Sequence, residues 1–184
     1  MRPVEDKYCD NLSKYNYANI KMVRLKDVCQ LKVGGTPKTN IKEYWDNGTI
    51  PWMSSGEINK DKIYFTEKCI TEKGFNNSNT KLLPLDTVII ALAGQGSTRG
   101  KVAITKIQLC TNQSLCGMIP NDKINSNFLY FYLQTQYLKL RDLSSGDGAR
   151  GGLNLKIIGE FKIPFLPLLE QQKISSAFPS PSKV

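Results

Sequence analysis

Apolar positions in this chain fall mostly in short runs, and one stretch repeats at helical spacing. Thr87 to Ala93 is the longest apolar run, and its β-branched content predicts a buried strand. Lys101 to Thr105, Leu115 to Ile119, Ile50 to Ser54 and Phe161 to Phe165 read as further short strands. Val23 to Val33 predicts a turn of helix and then a strand. Ser126 has the chemistry of a helix cap. Phe128, Leu129, Tyr132, Leu133, Gln136, Tyr137 and Leu140 then share one stripe, predicting a helix to about Leu143. Shorter helices are predicted over Leu153 to Gly159 and from Leu168 to Ser175, where Pro179 and Pro181 stop the second. Gly34-Gly35-Thr36-Pro37 is a turn, and Gly56 to Thr80 is loop-rich with one helical turn near Thr71 to Phe75. Many short strands, one good helix and long loops predict a single α+β domain whose loops carry its function.

Charge narrows the picture. Lys and Arg number 25 against 16 Asp and Glu, a net charge of +9 with pI near 9.3, which favours a polyanionic partner, nucleic acid before membrane surface. The plainer alternative is a well-solvated basic surface. No apolar run reaches membrane-spanning length, and the polar start of the chain argues against secretion, so a cytoplasmic location is expected. Cys9, Cys29, Cys69, Cys110 and Cys116 are odd in number, form no CxxC pair and have no His beside them. They read as reduced thiols and not as a disulfide framework or zinc site. The absence of His removes the Ser-His and Cys-His nucleophile systems.

Two loops stand out. Gly94-Gln95-Gly96-Ser97-Thr98-Arg99-Gly100 follows a strand, but its third glycine is one place late for a dinucleotide fingerprint and a strand, not a helix, comes next. Its small residues allow close backbone approach, and Gln95, Ser97, Thr98 and Arg99 are donor and acceptor types that read base edges. A hairpin that merely turns is the bland alternative. Ser144 to Gly152 repeats the theme with Arg150, suited to a phosphate or groove contact, or to a plain linker with a solvated Arg. Trp45 and Trp52 read as core, while Ser54 and Ser55 at a strand end are candidates to face a ligand. No methyltransferase tetrapeptide, nuclease carboxylate-lysine set or phosphate loop occurs, and Glu57, Asp86 and Asp147 lie scattered among loops.

Several segments in order resemble the target-recognition domains of type I restriction–modification specificity subunits. They include Val23-Arg24-Leu25-Lys26-Asp27-Val28, Gly34-Gly35-Thr36-Pro37, Tyr44-Trp45, Pro51-Trp52-Met53-Ser54-Ser55-Gly56-Glu57, Leu83-Pro84 and Ser97-Thr98-Arg99-Gly100-Lys101-Val102. Asn112-Gln113-Ser114-Leu115, Phe128-Leu129-Tyr130, Gly152-Leu153-Asn154, Ile163-Pro164 and Leu169-Glu170-Gln171-Gln172-Lys173-Ile174 continue the series, so the likeness runs from about Met22 to Ser175. The resemblance implies a partner in a multi-subunit methyltransferase and endonuclease. Two such domains, joined by long helices, would each read half of a split double-stranded DNA site through their loops. S-adenosylmethionine would be bound by the modification subunits, and cutting done by a restriction subunit, with no cofactor or metal on this chain. The Glu-Gln-x-x-Ile segment opens a long spacer helix in that family. Here it meets Pro179 within three turns, so a truncated spacer and a monomer are expected.

The domain division expected on this basis is a polar lead-in over 1–21, a DNA target-recognition domain over 22–167, and the start of a truncated spacer helix with its tail over 168–184. Gln95, Ser97, Thr98 and Arg99 are the candidates for base edges. Lys101, Arg150, Ser54, Ser55, Lys38 and Lys81 are those for the DNA backbone. A stand-alone nuclease or methyltransferase fragment is the alternative from another class. A third is an interaction module whose basic surface binds acidic proteins.

Overall fold

A run such as Thr87 to Ala93, apolar at successive positions, is stable as a strand only where both faces of its sheet are covered. In the computed structural model, which describes residues 20–94, 96–143 and 152–178, that covering is present. The central sheet has five strands in the order β2-β9-β6-β7-β4. These are β2 (Cys29–Val33), β4 (Lys62–Ile63), β6 (Val88–Ala91), β7 (Val102–Thr105) and β9 (Leu115–Pro120). Neighbours are antiparallel except β4, which runs parallel to β7.

Every residue of β6 is buried. Val88 and Ile90 point into a core shared with Phe128, Leu129, Leu133 and Leu140. Ile89 and Ala91 point into a second core with Met53, Ile58, Ile63, Leu83 and Leu109. The first face is covered by α3 (Ser126–Thr135) and α4 (Tyr137–Asp142). Beyond the second lies a three-stranded sheet, β5-β3-β8, made of β3 (Ile50–Met53), β5 (Lys68–Ile70) and β8 (Cys110–Thr111). There Trp45 meets Trp52 edge to face, with ring centroids 5.1 Å apart, and Trp52 is the more deeply buried of the two. The architecture is α+β, as the pattern predicts.

The ends of the region are drawn together. β1 (Met22–Arg24) pairs antiparallel with β10 (Lys162–Pro164). Between β1 and β2 lies α1 (Leu25–Val28), which packs on α5 (Leu155–Glu160). Lys26 on α1 forms an ion pair with Glu160 on α5. α6 (Leu168–Ser176) packs on α3, and Ile174 and Phe178 enter the main core.

Three expectations change. The helix cap is Asn125, not Ser126: its side chain accepts from the Phe128 amide, one residue earlier than the pattern places it. The long helix is interrupted at Gln136, whose ψ of 11° ends α3 and starts α4. Gly56 to Thr80 is more regular than expected, holding β4, β5 and a 3-10 helix (Ser55–Lys60), while the helical turn expected near Thr71 to Phe75 is present as α2 (Glu72–Asn76).

Candidate nucleic-acid interface

The sheet order collects the polar loops at one end. Because β2, β9, β6 and β7 alternate in direction, the C-terminal ends of β2 and β6 lie beside the N-terminal ends of β9 and β7. β4, parallel to β7, begins at the same end. The Gly34–Lys38 turn, the Gly94–Lys101 loop, Asn112–Ser114 and the 3-10 helix therefore converge there.

Each loop is fastened to its neighbours. Trp52 Nε1 donates to the Gly35 carbonyl at 3.0 Å, and Thr36 Oγ1 donates to Gln113 Oε1 at 2.5 Å. A side chain at Gly34 would meet the Thr111 carbonyl and hydroxyl at 2.2 Å, so only glycine permits this approach. Asn112 Nδ2 reaches Ser55 Oγ at 3.5 Å, and at the other end of the 3-10 helix Lys101 Nζ donates to Asn59 Oδ1 at 2.7 Å. The 3-10 helix thus bridges the two loop groups.

The glycine loop is held from below by α4. Tyr137 Oη donates to the Ser97 carbonyl at 2.8 Å, and Arg141 Nη1 donates to the Gly96 carbonyl at 2.6 Å and to Tyr137 Oη at 2.8 Å. Gly100, at φ +84°, lies with Arg141 Cγ only 3.2 Å from where a Cβ would stand. The break at Gln136 starts α4, the element that brings these two side chains to the loop. The sequence pattern does not single out these two anchors: the apolar stripe takes Tyr137 as a helix position, and Arg141 lies off the stripe.

Ser97 is exposed, while Thr98 and Arg99 are partly buried. Lys101 is partly buried beside them, and Lys38 and Lys81 are exposed near the Gly34-Gly35 turn, which packs against Asn79 and Thr80. Ser54 is less available than the sequence implies. Its amide donates to Glu57 Oε1 at 2.9 Å, closing the start of the 3-10 helix. Glu57 itself is buried and structural, accepting also from Lys60 Nζ and the Glu67 amide, each at 3.0 Å. Asp86 pairs with Lys106. Gln95, Arg150 and Asp147 lie outside the described residues.

Beside Lys101 is a cleft of about 330 Å³ lined by Asn59, Asp61, Gly100, Gln134 and Tyr137. Partial desolvation raises the Asp61 carboxyl above its ordinary value, against the pull of Lys101 and Lys62, although much of the side chain faces solvent. Among the described residues no group of three or more His, Cys, Asp or Glu is placed to hold a metal, and no helix is long and apolar enough to cross a membrane. The end of the sheet therefore offers hydroxyls, amides and cations on backbone fixed by tertiary hydrogen bonds. Those are the group types that pair with phosphates and with hydrogen-bonding base edges.

The chain is 34% identical over 158 residues to the type I restriction enzyme MjaIX specificity subunit of Methanocaldococcus jannaschii, covering 83% of this chain and 35% of that protein. It is 29% identical over 171 residues to the EcoR124I/EcoR124II specificity subunit of Escherichia coli, covering 91% of this chain and 42% of that one. The type I restriction-modification S subunit from M. genitalium shares the fold, with a TM-score of 0.69 at 17% identity over 95% of this chain and 45% of its own. The chain thus spans less than half the length of each. Residues 17–180 match the type I restriction modification DNA specificity domain, and the chain belongs to that family.

Proposed function

We propose that this chain reads a short double-stranded DNA sequence without catalysing a reaction, as the specificity component of a type I restriction–modification system. The observation that carries the reading is the gathering of Ser97, Thr98, Arg99 and Lys101 with the Gly34–Lys38 turn at one end of a rigid sheet. Arg99, Ser97, Thr98 and Gln95 address base edges. Lys101, Lys38, Lys81, Ser55, Arg150 and, through what its cap leaves free, Ser54 address the backbone or the groove rim. Modification and restriction subunits are the protein partners, and S-adenosylmethionine is bound by the former. Methylation and cleavage are theirs, directed by the site this domain selects. Alone, this stretch of chain is a monomer, since α6 offers only nine residues for a helical interface. A tight dimer by sedimentation would refute that.

The test is selection of bound sequences from a random duplex pool at two salt concentrations. One enriched short sequence is expected. Binding with no enrichment would overturn sequence reading and favour an interaction module for acidic partners. Nicking or methyl transfer by the chain with Mg²⁺ and S-adenosylmethionine would overturn the non-catalytic assignment.

A further inference from the structure

Asp61 occupies an unusual place in this surface. It ends the 3-10 helix at φ +60° and ψ −55°, a combination that side-chain-bearing residues rarely adopt. Its main chain is fixed from two sides, since the Asp61 amide donates to the Ile58 carbonyl at 3.4 Å and the Ile104 amide donates to the Asp61 carbonyl at 2.8 Å. The carboxylate stands exposed at the rim of the Asn59–Lys101–Tyr137 cleft. No hydrogen bond or ion pair joins it to another described residue, whereas Glu57, Glu67 and Asp86 each pair with a lysine.

A carboxylate at the edge of a phosphate-binding face repels the backbone it approaches, so it lowers affinity for duplex in general. It can only accept hydrogen bonds, and on DNA the matching donors are the exocyclic amino groups of bases. Resting on the DNA-reading function above, we propose that Asp61 is a specificity-determining residue that accepts a hydrogen bond from a base amino group. Lys101, next to it in the cleft, would hold the neighbouring phosphate.

Asp61→Asn keeps the shape and removes the charge, while Asp61→Gly removes the side chain at a backbone angle glycine adopts freely. Selection from a random duplex pool is run on the wild type and both variants, followed by titration of the wild-type site and random duplex. Both variants should lose preference at one base position, by about tenfold for Asp61→Gly, and bind random duplex as tightly as the wild type or tighter. Replacing the base at that position with its analogue lacking the amino group should weaken the wild type about tenfold and leave Asp61→Gly unaffected. The proposal fails, with DNA reading intact, if all three proteins select the same sequence with the same strength. It also fails if the variants weaken on every duplex alike. A wild type that selects no sequence overturns both.

Discussion

Gln171 Oε1 accepts the backbone amide of Asn125 at 2.8 Å, tying the first turn of α6 to the start of α3. The same side chain, fully buried, donates through Nε2 to the carbonyls of Leu166 at 2.8 Å and Lys123 at 2.9 Å. All three of these bonds go to main-chain groups. It acts as a latch between the C-terminal helix and the main helical layer.

Replacing Gln171 with Ala leaves the part-buried Asn125 amide and the Leu166 and Lys123 carbonyls without that partner. A loss of about 1–3 kcal/mol is expected for such groups, read as a lower denaturant midpoint with an unchanged slope. The folded fraction should bind DNA as before, because no Gln171 contact reaches the sheet end.

Removal of the Arg99 side chain should cost about 1–3 kcal/mol on the selected site and much less on random duplex, where binding rests on phosphates. An equal loss on both would make Arg99 a phosphate contact and move base reading elsewhere.

Affinity should fall steeply with salt, log K changing by about −0.9 for each phosphate contacted per unit of log salt. Lys101→Ala should weaken all duplexes alike and flatten that slope. A slope near zero between about 50 and 200 mM salt would remove the electrostatic footprint altogether.

Tyr137→Phe deletes the hydroxyl that holds the Ser97 carbonyl and leaves the ring in place. Selective binding should drop by about 0.5–1.5 kcal/mol, with random-duplex affinity nearly constant. A matching drop on random duplex would show that the anchor does not serve base reading.

Burial pushes the Cys29 and Cys116 thiols up to about 12 and Cys110 up to about 11, from an ordinary value of 9.0. Above pH 9 the unfolded thiols lose their protons first, so the native state binds more protons. The contribution of these thiols to stability is complete below about pH 9 and is lost as pH rises towards 12. Unfolding midpoints should fall over that window, and a thiol reagent at pH 8 should label partly buried Cys69 ahead of the other three.

The strands β6, β7 and β9 were legible because four to six successive residues carry their pattern. β4 and β8 have two residues each, too few to show any period, and their partners decide them. The break at Gln136 was hidden because the apolar stripe runs on to Leu140 on the far side. In the site, glycine spacing marked the Gly94–Gly100 loop, and its φ values of +141°, +64° and +84° account for those glycines. What holds the loop was not legible. Tyr137 and Ser97 are 40 positions apart, and only the sheet and the bent helical layer bring them together. Glu57 likewise reads as a stray loop acid in the sequence, and its burial within the 3-10 helix shows it to be structural.

The grips on the glycine loop fall on main-chain carbonyls, those of Gly96 and Ser97. Every amino acid carries that group, so an exchange at position 97 alters what the loop displays without loosening the hand that holds it. The lexicon can drift while the grammar stays fixed. New side chains arrive on a backbone already posed, and inheritance can try another DNA word without first rebuilding the reader.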